Sequence, residues 1–159
     1  MLKKIDSNLI NKIILDSQTA PRRRARSNFH QNNEIIQRMV VAFQKDAYIQ
    51  PHKHQNPDKL EVFICLKGRF LAICFDTSGA IIDHAVFGEK EKIRGIEVSP
   101  RLYHTFWPLE NDSVIYEVIE GPYDSKTHKK FAAWAPSEEE REKSLEYMDM
   151  VKKKLKIIV

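Results

Sequence analysis

The sequence predicts a mainly β protein: a double-sheet jelly-roll barrel flanked by short N- and C-terminal helices. Three observations lead there. Between residues 37 and 120, β-branched and aromatic runs recur roughly every ten residues, with turn residues between them. That stretch has no room for helical crossovers, which excludes a parallel α/β sheet. Helical spacing is confined to the two ends of the chain.

At the N-terminal end, Leu9, Ile10, Ile13 and Ile14 repeat at helical spacing over residues 7–18. Asp6 or Ser7 serves as N-cap and Pro21 as the stop, and the stripe is expected to pack on the outside of the barrel. The β region reads as eight strands, at 39–43, 48–50, 61–66, 70–75, 81–87, 93–98, 103–107 and 114–119. Lys67-Gly68, Asp76-Thr77-Ser78-Gly79 and Glu110-Asn111-Asp112 punctuate them, the first read as a two-residue hairpin loop. Near the C-terminus, Ser137-Glu138-Glu139-Glu140 has the pattern of a capping box. Leu145, Met148, Val151 and Leu155 then form one apolar stripe in a charged helix, expected to dock on the barrel or on a second subunit. The expected organisation is one structural domain: an arm and helix over 1–36, the barrel over 37–120, and an extension with its helix over 121–159.

A chain of 159 residues, 42% apolar and 30% charged, can bury a core without staples and has the composition of a soluble globular protein. The net charge of +4 comes largely from Arg22, Arg23, Arg24 and Arg26 and from Lys152-Lys153-Lys154. Neither a broad basic face nor interleaved aromatics accompany it, so nucleic-acid binding is not expected. A modest positive field suits a phosphorylated or carboxylated small molecule. The arginine run itself reads as solvated surface, with a phosphate site as the sharper alternative. No signal-peptide pattern and no run long enough to span a bilayer is visible, so a cytoplasmic setting without membrane association is expected. If Lys67-Gly68 closes a hairpin, Cys65 faces Phe70 and Cys74 lies about 13 Å further along, too far for a disulfide. Both cysteines read as reduced core residues.

The chemistry-bearing pattern begins at Pro51-His52-Lys53-His54. Two imidazoles at i and i+2 on a strand share one face and can share one metal. Glu61 follows His54 after six residues, and the turn around Pro57-Asp58 lets the chain reverse and bring it back beside the pair. His104, in Pro100-Arg101-Leu102-Tyr103-His104, opens another strand. Three imidazoles and a carboxylate form a mixed N/O set suited to one divalent transition metal: Fe, Mn, Ni, Co or Zn. With four protein ligands, an octahedral ion keeps two positions open for substrate.

These blocks resemble the paired motifs of the cupin superfamily. The first runs from a glycine through His-x-His and Glu to a second glycine, and here from Asp46 through His52, His54 and Glu61 to Gly68. The second ends in Pro-x-Gly-x-x-His, matched by Ser99, Arg101 and His104. Asp46, Ser99 and Arg101 thus replace family residues, while all four ligands are kept. A narrower resemblance covers nearly the whole chain: it is similar to WbuC-type cupin-fold metalloproteins. Pro21-Arg22, Asn28-Phe29-His30, Gln37-Arg38, Gly121-Pro122-Tyr123-Asp124 and Lys130 to Pro136 carry that resemblance. It implies a cupin barrel, a bound metal, pairing into a homodimer and a setting among genes for bacterial surface polysaccharide synthesis.

Around the metal, Glu117 and Tyr103 are the candidate catalytic groups, since a glutamate among apolar strand residues is costly unless it faces the lumen. His30, Arg38 and Tyr48 are the candidate substrate-binding residues. The reading favoured is a metal-dependent enzyme on a small polar substrate such as a sugar or nucleotide-sugar intermediate, of isomerase, epimerase or dioxygenase type. The alternative is a non-catalytic, metal-dependent binding or accessory protein.

Overall fold

Strand alternation sorts the side chains of this chain into an interior and two outer faces. The structure, a computed structural model, describes residues 1–157, so the last two residues of the C-terminal extension read from sequence lie outside it. It contains α1 (Ser7–Thr19), β1 (Arg24–Asn28), β2 (Ile36–Phe43), β3 (His52–Lys53), β4 (Glu61–Lys67), β5 (Arg69–Phe75), β6 (Ile81–Gly88), β7 (Gly95–Val98), β8 (Tyr103–Pro108), β9 (Ser113–Glu120), β10 (Lys130–Phe131) and α2 (Arg141–Lys154). The strands form two five-stranded antiparallel sheets, in the orders β1-β2-β9-β4-β7 and β10-β3-β8-β5-β6. They pack face to face as the expected jelly-roll barrel.

One end of the interior is filled by rings. Phe63 and Phe106 lie 4.4 Å apart by centroid, and Phe43 stands edge-on to both Phe70 and Phe106 at 5.6 Å. All four are essentially inaccessible to solvent. Outside the first sheet, α1 lays Ile13 and Ile14 over Val40, Ala42 and Val114. Asp6 is its N-cap, with a side-chain oxygen accepting from the Leu9 amide at 3.0 Å. Outside the second sheet, α2 buries Met148 and Val151 and sets Tyr147 against Trp107 at 5.8 Å. The C-terminal stripe therefore docks on the barrel of its own chain.

Several local expectations are corrected. Lys67-Gly68 is not a hairpin, because β4 and β5 belong to different sheets. Gly68, at φ +75°, instead turns the chain from one sheet to the other where a Cβ would run into Ser113. Cys65 consequently pairs with Ile115 rather than facing Phe70, and both cysteines are free, with Cys65 buried and Cys74 partly so. Residues 48–50 form no strand. They run as buried irregular chain whose Ile49 carbonyl accepts from Thr105 Oγ1 at 2.7 Å and Trp107 Nε1 at 3.1 Å. The arginine run supplies a strand, β1, that pairs with β2 from Arg24 opposite Phe43 to Asn28 opposite Met39. The capping box is only half formed: Glu140 accepts from the Ser137 amide at 3.1 Å, and the helix starts after Glu140.

Candidate metal centre

Register decides which side chains meet at the other end of the barrel. On β4, Glu61 and Phe63 point inward; on β8, His104 and Phe106 do; on β9, Glu117 and Ile119 do. Glu61 pairs across to Ile119, and Phe63 to Glu117. His52 on β3 lies opposite His104 on β8. His54 follows two residues later, on the same face as His52. β4 and β8 thus offer a polar residue at the open end and an apolar one further in, while β9 reverses the order, with Ile119 level with Glu61 and Glu117 level with Phe63.

His52, His54, Glu61 and His104 are all buried, and one ligand atom from each lies within 4.8 Å of the others. Glu61 Oε2 is 2.9 Å from His104 Nε2 and 3.2 Å from His54 Nε2. The far nitrogens settle the tautomers. His52 Nδ1 faces the Gln50 carbonyl at 2.9 Å, His104 Nδ1 the Leu102 carbonyl at 2.9 Å, and His54 Nδ1 the His128 carbonyl. A carbonyl can only accept, so each Nδ1 carries the proton and each Nε2 turns a lone pair inward. Two of those lone pairs face a carboxylate oxygen, and His52 Nε2 is buried with no partner. Burial, with Lys129 and His104 nearby, holds the His52 imidazole well below its ordinary range, so a second proton does not relieve the repulsion. Converging acceptors without donors are costly unless a cation joins them, and three imidazole nitrogens with one carboxylate fit a first-row divalent ion.

The supporting residues come from distant parts of the chain. Arg101 donates its amide to the His54 carbonyl at 2.9 Å and its Nε to Asp58 at 2.7 Å. It does so at φ +65°, in the left-handed region, where the cupin motif has glycine. Lys59 pins residues 120–122 through the carbonyls of Glu120 at 3.0 Å and Pro122 at 2.6 Å. Beyond them the chain passes over the site. His128 lies 5.0 Å from His54 by ring centroid and 4.9 Å from Tyr123, and β10 then pairs with β3, Phe131 opposite His52. Burial and the neighbouring Lys129 bring the His128 imidazole down to about 3.

The site opens into a cavity of about 570 Å³. Glu117 stands in it beside Glu61; burial first, then the Glu61 charge, pushes its carboxyl up to about 8. His30 also lines the cavity, its Nδ1 accepting from the Arg38 amide at 2.7 Å. The remaining candidates lie elsewhere. Tyr103 precedes His104 on a strand and so occupies the opposite face, packed on Trp134 at 5.9 Å with Lys53 Nζ 4.6 Å from its ring. Arg38 sits on the outer face of β2, paired with Glu34. Tyr48 donates its hydroxyl to the Pro136 carbonyl at 2.9 Å and packs on Trp107, which ties the C-terminal extension down. Arg24, Arg26, His128 and Lys129 line the cavity; for the arginine run the sequence offered a phosphate site only as the alternative to solvated surface, and it gave His128 and Lys129 no site role. For the arginines a signal existed: Arg22, Arg24 and Arg26 alternate at period two.

Fold and donor set together define a cupin-fold protein with a candidate His₃Glu metal centre. The chain belongs to the family described as Domain of unknown function (DUF6016), whose profile matches residues 5–87. No curated protein matches the sequence. Among solved structures it is similar to KdgF from Halomonas sp., at 16% identity and a TM-score of 0.51, over 68% of this chain and 87% of that one. It is also similar to the capsular polysaccharide assembling protein CapF from Staphylococcus aureus, at 14% identity and a TM-score of 0.57, over 67% of this chain. The match spans only 29% of CapF. Oxalate oxidase in complex with the substrate analogue glycolate matches at 14% identity and a TM-score of 0.52, over 89% of this chain and 69% of that one. These likenesses establish the shared fold. Among the described residues, no helix is long and apolar enough to cross a membrane.

Proposed function

We propose that this protein is a metal-dependent enzyme acting on a small polar substrate, such as a sugar or nucleotide-sugar intermediate of bacterial surface polysaccharide synthesis. The reaction class is isomerisation, epimerisation or dioxygenation. One observation carries the reading: three imidazoles with their Nδ1 protons committed to carbonyls aim three Nε2 lone pairs at one carboxylate, at the inner end of a cavity. A divalent ion held there supplies Lewis-acid or redox chemistry to a substrate oxygen. His52, His54, His104 and Glu61 hold it, and the aromatic plug behind them keeps bulk water from the rear. Glu117 faces the same lumen, where burial favours its protonated form, so it is placed to exchange a proton with a group bound beside Glu61. His30 is positioned to contact substrate; Arg38, Tyr48 and Tyr103 act on structure instead.

The WbuC-type assignment, cytoplasmic location and homodimeric state belong to the same reading, and CapF's role in capsular polysaccharide assembly is in keeping with it. A single-chain mass by light scattering at micromolar concentration removes the dimer. The test of function is elemental analysis followed by turnover. Purified protein is expected to hold about one equivalent of Fe, Mn, Ni, Co or Zn. Loaded protein is then incubated with nucleotide sugars and sugar acids while mass, exchange from heavy water and oxygen uptake are followed. His54→Ala should abolish turnover. Failure to load any metal overturns the reading, and tight ligand binding with silence on all three signals leaves a binding module.

A further inference from the structure

The cavity has a second chemical feature, at its mouth. β1 is an edge strand, and alternation sends Arg24 and Arg26 to its inner face, where they line the cavity together with Arg22 from the turn before it. Lys129 joins them from the segment crossing the site. These cations are not equivalent. Arg24 is committed to Glu138, with its Nη2 2.8 and 3.0 Å from the two carboxylate oxygens, and Arg22 stands 3.5 Å from the same group. The side chains of Arg26 and Lys129 make no hydrogen bond or ion pair among the described residues. Their charges act on Glu117, and that of Lys129 also on Glu61, only through the field.

The charge balance sharpens this. The lining holds four cations, Arg22, Arg24, Arg26 and Lys129, against four carboxylates, Glu61, Glu117, Glu138 and Glu139. A divalent ion on Glu61 leaves the cavity positive. A partly desolvated positive cavity binds anions strongly, because fields inside it are poorly screened. Lys129 is half-buried and loses hydration without gaining a partner, a cost that an incoming anion offsets.

We propose that the substrate carries two recognition ends: an oxygen-rich end that meets the metal ligands, and an anionic group, carboxylate or phosphate, held at the cavity mouth by Arg26 and Lys129. The inference rests on the metal-centred reading for the first end and on Arg26 and Lys129 for the second. Glu138 occupies Arg24 and so limits the positive charge offered to the ligand.

Calorimetric titration of Zn²⁺-loaded protein with glucose, glucuronate and glucose 6-phosphate tests it. Both anionic probes are expected to bind at least tenfold tighter than glucose, with the stronger of the two identifying the charged group. Arg26→Gln, at an exposed position, should erase that preference without altering zinc content or glucose affinity. Lys129→Gln should reduce it several-fold, and Glu138→Gln should raise it by freeing Arg24. Equal affinity for glucose and its anionic counterparts overturns the proposal, as does undetectable binding of both anions at millimolar concentration. An anion preference unchanged in both Arg26→Gln and Lys129→Gln also overturns it. Absence of turnover with the anion preference intact counts against the enzyme reading alone.

Discussion

The two ends of the barrel are built on the same strands and differ in almost every physical respect. At one end Phe43, Phe63, Phe70 and Phe106 interlock without a polar atom among their side chains. At the other, two residues along β4 and β8, Glu61 and His104 meet His52 and His54. The aromatic end lowers the free energy of folding whatever the solution contains. The polar end concentrates acceptors where burial has removed water, and becomes favourable only with a cation. A step of two residues along a strand thus separates the part that makes the fold from the part the fold has to hold in place.

The largest expected effect breaks the aromatic end. Phe106→Ala should cost about 3–5 kcal/mol, because the cavity left among Phe43, Phe63 and Phe70 cannot collapse inside a closed barrel. Urea unfolding of the metal-free protein measures it, and a loss below about 1 kcal/mol would show the plug to be loosely packed. Next in size is the polar end. Chelation should lower stability by about 3–4 kcal/mol when the free metal stood at 100–1,000 times its dissociation constant. A matched chelation of His104→Ala should change little, and an equal drop in both would mean the metal sits elsewhere.

The smallest effect concerns Glu117, which lies between the two ends. Its carboxyl is raised in the folded protein to about 8 from an ordinary 4.5, so folding favours the protonated form. The contribution is fully present below about 4.5 and is lost as pH rises through about 8. Metal-free wild type should therefore lose stability relative to Glu117→Gln across that window. Parallel curves for the two proteins would place the Glu117 carboxyl at its ordinary value.

Much of this was legible in the sequence, for definite reasons. The strands of the aromatic end announce themselves through alternation, and the ligands through spacing. What local patterning does not encode is partner choice. Lys67-Gly68 has the letters of a hairpin, yet Gly68 carries the chain between sheets. The arginines of β1 look solvated because one face of that strand lines a water-accessible cavity. The placement of Tyr103 follows from alternation: a residue next to His104 on a strand faces the other way. His128 gave no local signal, since its service to the site is through a backbone carbonyl, which every residue has. Arg101 shows the converse, a glycine position filled by a side chain that anchors to Asp58.

That His128 carbonyl has a consequence for biosynthesis. The ligands at 52, 54, 61 and 104 leave the ribosome before the peptide that fixes the ring of His54, and the strand closing over His52 is made later still. A nascent chain can therefore gather its four ligands while one of them still turns freely. The rigid site is deferred until residue 128 and β10 have been made, and a chain ending before residue 128 would keep every ligand and lose the contact that orients His54.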